Sequence, residues 1–580
     1  MLRANFKAVK AGTTLMMVLM TFLLSGCFPS YYNYHEPITE KTVVKPEQGI
    51  VVARIIDAGR GFPPFNQLTI NPENVQQSDK IKPDRLLSMV EEVDGVAIFA
   101  SAIKPGNYAM NDISAYLISG DYSYWRGVPI DAQFGTFTVK PGEVTDLGTL
   151  IYYPKPKEDK FMHSVVRIPT ENLEQLLARF FPFYKFDPSK VNTWLDDQRD
   201  DERFELYANI VQNPVVFSGP VTAPDGALYF LAKLGAIVRR NTFGEWELDA
   251  VDTNYQLNSV AESNNGDLVV AGPEGVLYVK PQGDEWHDIS FDLPVNVLKV
   301  YFSPKGELDI LVADEYQLQV LRTSGNLTSP NWTEVNNYTY TDKWKVSAET
   351  AGDKKNRKAK YITGAYVFDE GGRDLLAVSY ANRRGRSGDT EIYQVDLSSW
   401  NILAGPLETK WEVTFQAGAV KLALEKLGFW SGNWRRDYFK YDPKTQDWYE
   451  MTTEIFKCGE KIVRPDFVCD IEGKKTNGDW INFKSTPWFK NDLEGVGIVT
   501  LSDVDFWTGK RSSETLILYT EDGGRVWLDS GNKIPKPYCT DIVGEVKDKI
   551  VLYCNGATGD FYESSDMGKT WKHVRQQGNF

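Results

Sequence analysis

The sequence predicts an all-β fold, and three features carry that expectation. Residues 49–154 are filled by short β-branched or aromatic runs between turn residues, among them Ile50-Val-Val-Ala-Arg-Ile-Ile56, Val96-Ala-Ile-Phe-Ala100 and Thr136-Phe-Thr-Val139. Such runs read as strands. From about Val211 the chain repeats itself, with Gly226-Ala-Leu228, Gly266-Asp-Leu268 and Gly306-Glu-Leu308 recurring every 40 residues, each a turn that feeds a strand. Trp246 and Trp286 keep the same interval, and Trp332 follows. Several short strands with a recurring Trp in about 40–50 residues are the signature of propeller blades. The repeats contain no helix, which disfavours a helical solenoid. At that size, the stretch 211–580 holds about seven blades. The predicted architecture is an N-terminal β-sandwich and a β-propeller of about seven blades, joined by a short helical connector.

The chain starts with a basic segment, Arg3, Lys7 and Lys10, then a mostly apolar stretch from Ala11 to Leu24. A membrane span needs about 20 apolar residues, so this run is too short to cross and fits a signal sequence. It ends in Leu24-Ser-Gly-Cys27, which resembles the bacterial lipobox at all four positions. The resemblance implies cleavage after residue 26, acylation of Cys27 and a lipid anchor in the cell envelope. Phe28 stands where lipoproteins of the inner membrane typically carry Asp, so the same resemblance points to the outer membrane. The net charge of −15 becomes three units more negative once the signal is removed. An acidic body of this kind is poorly suited to nucleic acid.

Residues 27–46, with Tyr31, Tyr32 and Tyr34, show no sustained period and are expected to be a tether. Residues 47–155 are the expected sandwich. Pro105-Gly106 and Lys140-Pro-Gly142 supply turns, because Pro fixes φ and Gly tolerates φ > 0. Phe137–Val144 followed by Leu147–Leu150 resembles the last strands of small prealbumin-like modules. Residues 156–210 form the connector. Leu173, Leu176, Leu177, Phe180 and Phe181 hold a helical period after Thr170 as N-cap, and Asp187-Pro188 is a second helix start. The connector is expected to lie between the two β domains. Its carboxylate run, Asp196 to Arg203, is interleaved with Arg199 and reads as a solvated face.

Four cysteines remain beside Cys27, namely Cys458, Cys469, Cys539 and Cys554. An even number in an oxidising compartment suggests disulfides. Three connectivities are open, and the local one, Cys458–Cys469 with Cys539–Cys554, demands least of the fold. Zinc is disfavoured by the lack of C-x-x-C spacing.

Near the C-terminus, Ser564-Ser-Asp566-Met-Gly568-Lys-Thr570-Trp571 matches S-x-D-x-G-x-T-W, and Thr520-Glu-Asp522-Gly-Gly524-Arg-Val-Trp527 is a decayed copy. Both resemble the Asp-box, or bacterial neuraminidase repeat, a structural hairpin. Its hydroxyl and carboxylate bind turn amides, its Gly takes φ > 0, and its Trp is buried between blades. Elsewhere the box is reduced to its tryptophan, as at Gly244-Glu-Trp246 and Gln446-Asp-Trp448.

The Asp-box occurs in sialidases and in proteins that only bind others, so function must come from residues. Arg167-Ile-Pro169 matches a sialidase motif but precedes the propeller by about 40 residues. The further arginines, acid/base Asp and Tyr–Glu pair of that family are not assignable. The four histidines, His35, His163, His287 and His573, are scattered, which disfavours a triad or metal cage. No catalytic residue, metal or cofactor is therefore assigned. Lys354, Lys355, Arg357, Lys358 and Lys360 cluster in one expected inter-blade loop, and Arg383, Arg384 and Arg386 in another. Together they are the candidate binding patch for an acidic glycan or a partner protein. The expected function is a lipid-anchored binding or assembly protein of the cell envelope. The alternative is a glycan-active hydrolase of sialidase-like type.

Overall fold

The computed structural model describes residues 31–575, with breaks chiefly at 74–81, 89–94, 194–199, 340–359, 383–386, 408–412, 417–422, 464–480, 505–510 and 555–559. The chain divides into two compact units, Met1–Tyr152 with Val165–Phe204, and Tyr153–Ser164 with Glu205–Phe580.

The first unit is a sandwich of two sheets. One sheet has the order β1(Asn33–His35), β4(Asp84–Leu87), β3(Gln67–Pro72), β6(Gly106–Ser119), β7(Tyr122–Pro129), with β8(Thr136–Val139) also on β6. The other runs β10(Lys160–Ile168), β9(Val144–Lys157), β2(Gly49–Asp57), β5(Val96–Ile103), with β11(Val191–Thr193) on β9. Val51, Ile55, Leu68, Ile70, Phe99, Ile113 and Leu150 fill the core between them. Strand β2 is buried at all nine positions. It is central and covered on both faces, so it reads as a continuous apolar run instead of an alternating one. Its outer cover is helix α1(Leu173–Phe180), whose Leu177 packs, with Phe181, on Ile50, Val52 and Ile98.

Four expectations about this region are corrected. Residues 33–46 are not a free tether: β1 pairs in parallel with β4, and Ile38 is fully buried with its N–H bonded to Ala100 O at 2.8 Å. The connector is strand as far as Ile168, and its first helix lies on the sandwich, in the first unit. Thr170 does not cap that helix. Its hydroxyl donates to buried Asp146 at 3.0 Å. Asp187 does cap, accepting from Ser189 N, but only a single 3-10 turn, Pro188–Lys190, before the chain extends into β11. The second helix, α2(Asp200–Val211), starts a turn or more later.

The second unit is a β-propeller of seven antiparallel sheets, at 221–250, 259–288, 296–339, 360–407, 413–451, 481–533 and 539–575. Blade 6 is widened by an outer hairpin, Phe456–Cys458 and Lys461–Val463, that precedes it in the chain. The 40-residue glycines sit in equivalent turns between first and second strands, with φ of +87°, +89° and +79°. In each, the residue three before Gly donates to the residue after it: Ala223 N to Ala227 O, Ser263 N to Asp267 O and Ser303 N to Glu307 O, at 2.8 Å in all three.

The ring closes by packing. Among the described residues, blades 1 and 7 exchange no strand; Phe217, Leu228 and Phe230 meet Val546, Tyr553 and Phe561 in one core. Buried Arg240 of blade 1 donates through Nε to Glu563 of blade 7 at 2.5 Å. The recurring tryptophans lie at the turn before the outermost strand, and each joins the core shared with the preceding blade. Trp246 does so against blade 7, Trp286 against blade 1, Trp332 against blade 2 and Trp571 against blade 6. Trp400, outside the repeat read from sequence, does the same against blade 3, fully buried and donating to Asp309 at 2.7 Å.

Candidate functional site

Each blade is an up-and-down sheet. Turns between strands one and two and between strands three and four therefore lie at one end of the propeller, and the remaining connections at the other. Both box-like turns belong to the first end. Ser564 Oγ accepts from Gly568 N (2.8 Å) and Asp566 N (3.3 Å) and donates to Asp566 Oδ1 (2.7 Å). Asp566 takes the N–H and hydroxyl of Thr570 at 2.8 and 2.7 Å. Gly568 has φ +85°, and a β-carbon there would stand 3.4 Å from Trp571. The decayed copy keeps the first half: Thr520 Oγ1 accepts from Gly524 N at 2.9 Å, Gly524 has φ +91°, and Trp527 is fully buried against Phe483 and Phe489. These residues hold turns.

The candidate basic residues Lys354, Lys355, Arg357, Lys358, Arg383, Arg384 and Arg386 lie outside the described residues. The strands that bracket them are described. Residues 340–359 connect blade 3 to blade 4, as expected. Residues 383–386 instead join the second and third strands of blade 4, Asp374–Asn382 and Ser387–Asp396, so the second loop is within a blade. The strand ends that bracket them, Thr339 and Lys360, and Asn382 and Ser387, lie at the end opposite the box-like turns. The register ties them together: Lys360, the last of the first cluster, pairs with Asn382, the residue just before Arg383, and Ala381 pairs with Ser387.

Cys539 and Cys554 are directly paired across adjacent strands and joined by a disulfide in the core between blades 6 and 7. Cys469, Cys27 and the side chain of Cys458 lie outside what is described; the backbone of Cys458 pairs with Lys461 in the blade 6 hairpin. Arg167 is on β10 of the sandwich, buried, beside Asp146. Burial raises the pKa of Asp146, against hydrogen bonds from Gly148 and Thr170 and the charge of Arg167. Arg167 and Ile168 of the tripeptide thus end a sandwich strand, with Pro169 just after it, and belong to no blade.

A cleft that sequence reasoning missed opens between blades 1 and 2, on the end that carries the box-like turns. It encloses about 380 Å³ and is lined by Tyr229, Arg239, Glu247, Asp249, Glu262 and Lys280, among others. Arg239 is held by Asp225 at 2.9 Å, Glu247 at 3.5 Å and Glu262 at 3.7 Å, and Lys280 by Asp249 at 2.6 Å. Tyr229 donates to Glu262 at 2.7 Å. Burial, then Glu262, pushes the Tyr229 pKa far above its usual value, so the phenol is a fixed donor. Three carboxylates and two cations in the lining suit a ligand rich in hydroxyls or carrying positive charge. Only the strand alternation of Tyr229 and Arg239 marked these residues in sequence, and it marks every outward position equally.

No family model and no curated protein sequence matches the chain. Several solved structures resemble it. The Dos1 propeller is 11% identical, covering 63% of this chain and 85% of its own, with a TM-score of 0.32. YCF48 bound to D1 peptide is 12% identical over 59% and 89%, at 0.33. BamB from Moraxella catarrhalis is 9% identical over 60% and 99%, at 0.29.

Proposed function

We propose that this chain is a lipid-anchored protein of the bacterial cell envelope, acylated at Cys27, whose Asp-box propeller is a docking platform for a protein or glycan partner. The observation that carries the reading is the pairing of Lys360 with Asn382. It roots two arginine- and lysine-rich connections side by side at one end of an otherwise acidic molecule. Such a patch attracts acidic glycans, phosphorylated lipid saccharides or an acidic protein surface. The Asp-boxes support it only indirectly, by fixing the blades. Reversing Arg383, Arg384 and Arg386 to Glu should weaken partner retention in pull-downs from detergent-solubilised envelopes, most at low salt, where exposed charges are least screened. Arg167→Ala should leave retention unchanged.

The cleft between blades 1 and 2 favours a second reading, a glycan-active hydrolase, because it gathers carboxylates around one cavity. Against it, Tyr229 is held protonated and Glu247 and Glu262 are both engaged by Arg239. Turnover of sialyl or neutral glycosides that vanishes with Glu262→Gln, with retention untouched by the arginine reversals, would reverse the order of the two readings.

A further inference from the structure

The two outer faces of the sandwich are treated differently. The face of the β2 sheet is covered by α1 and by the Ile38 segment. The outer face of the β1–β4–β3–β6–β7 sheet instead keeps Tyr34, Tyr116 and Trp125 exposed. Cross-strand partners share a face, so the register defines which side chains it presents. Tyr34 pairs with Arg85, Arg85 with Thr69 and Thr69 with Asp112. Gln67 pairs with Ser114, Ser114 with Gly127, and Tyr116 with Trp125. The middle of this face is a closed polar network. Arg85 donates to Thr69 at 3.0 Å and Gln67 at 3.1 Å and meets Asp112 at 3.6 Å, and the ring of Tyr32 lies 3.4 Å over its guanidinium. Aromatics stand open at both margins: Tyr31 (72% exposed) and Tyr34 (51%) at one, Trp125 (67%) and Tyr116 (43%) at the other. Trp125 lies flat. A β-carbon on Gly127 would come within 2.7 Å of its ring, so glycine leaves room for the indole against the sheet.

We propose that this face rests on the lipid bilayer, with Trp125, Tyr116, Tyr34 and Tyr31 in the headgroup layer. The proposal rests on the reading that Cys27 is acylated. The occupant is argued from reach. Tyr31 is four residues from Cys27, and β1 starts two residues later, so even a fully extended chain holds Tyr31 within about 14 Å of the acylated residue. A domain so closely leashed has its nearest face at the membrane surface. That face carries Trp and Tyr, the residues whose amphipathic rings favour the headgroup level, and its Arg85 and Asp112 neutralise each other. The anchor and the aromatic face would act as two membrane signals on one rigid sheet.

The test is hydroxyl-radical labelling with mass spectrometry. The acylated chain would be reconstituted in vesicles of phosphatidylethanolamine and phosphatidylglycerol and compared with the non-acylated Cys27→Ser chain in buffer. Trp125, Tyr116 and Tyr34 should react at least about threefold more slowly on vesicles if they sit in the headgroup layer. Phe183, exposed beyond α1 on the other side of the sandwich, should react at the same rate in both. Acylated protein whose Trp125 reacts equally fast in both states overturns the proposal and leaves the anchor intact. An N-terminal peptide without acyl chains overturns the anchor reading and the proposal with it. Slow labelling of Trp125 in the Cys27→Ser chain without vesicles, together with a dimeric mass, assigns the face to a second copy and overturns the proposal.

Discussion

Lys299 shows how one backbone irregularity sets a side chain's environment. It lies on the innermost strand of blade 3, Asn296–Phe302, where the ladder to Leu308–Ala313 slips between Val297 and Lys299. Leu298 and Lys299 together oppose Leu311, and the bulge puts half-buried Lys299 next to Leu298, which packs in the core shared with blade 4. The ammonium has no carboxylate partner among the described residues, and burial pushes its pKa down to about 8. The unfolded lysine keeps its usual value near 10.5. Below pH 8 the amine is charged in both states, and the folded state bears the whole cost. Between pH 8 and 10 the unfolded state binds more protons, so stability must rise with pH. Tyr108 and Tyr152, pushed to about 12 by burial, subtract from stability only above pH 10. The urea midpoint should therefore climb from pH 8 to 10, by at most about 3 kcal/mol in free energy. Lys299→Met should raise the midpoint at pH 7 and flatten the climb. A flat wild-type profile would show that the amine is fully hydrated in the folded state. Nothing in the sequence marked Lys299, because a bulge is a property of two paired strands and one strand's alternation does not reveal it.

At the scale of elements, the turns were the most legible features and the connector the least. The turn at Ser564–Trp571 was legible because all its partners are within eight residues, so spacing alone fixes which oxygen meets which amide. Asp566→Ala removes both bonds to Thr570 and the acceptor for Ser564. At about 1 kcal/mol for each net hydrogen bond, a loss of about 3 kcal/mol in thermal unfolding is expected. Asp522→Ala should cost less. Val526 stands where Thr570 does and has no hydroxyl to donate, and a smaller shift in the same measurement would bear that out. The Cys539–Cys554 link was legible for the same reason as the turns: the strands are neighbours in sequence. The 27–46 and 156–210 segments were misjudged because their partners are distant. Asn33 pairs with Asp84, and Leu177 packs on Ile50 and Val144, contacts that no local period announces. The eight-residue helix showed its period in sequence, but not the sheet it packs on, and a strand of three residues has too few positions for a pattern to show.

At the scale of the whole molecule, the closing seam buries an ion pair between residues 323 apart. Arg240 and Glu563 are both almost fully buried, and the guanidinium also lies 5.6 Å from the Trp246 ring. Glu563→Gln leaves a buried guanidinium without its counter-ion, which costs about 3–5 kcal/mol. The first thermal transition should fall accordingly, and protease should cut the chain first near residues 211–220, which pack across the closure at Phe217. Replacing both partners with apolar residues of similar size, Arg240→Met with Glu563→Leu, should restore most of the loss. Recovery would mean that the closing surface holds the ring once no charge is left unpaired, and failure to recover would mean that the charge pair itself is required.

The sequence by itself determined the class, the repeat and the approximate number of blades, because each blade is a local meander whose turns and tryptophans recur along the chain. It also determined the two turn motifs, whose bonds are internal. Tertiary structure alone decided how the ring closes, since Arg240 and Glu563 are ordinary charged residues until two remote blades bury them together. It likewise decided that Tyr229, Arg239 and Glu262 share a cleft, that Trp400 takes the recurring indole position, and that residues 33–46 belong to a sheet. Each of these depends on surfaces brought together from distant parts of the chain, where burial changes the worth of a charge or a ring and sequence spacing carries no record of it.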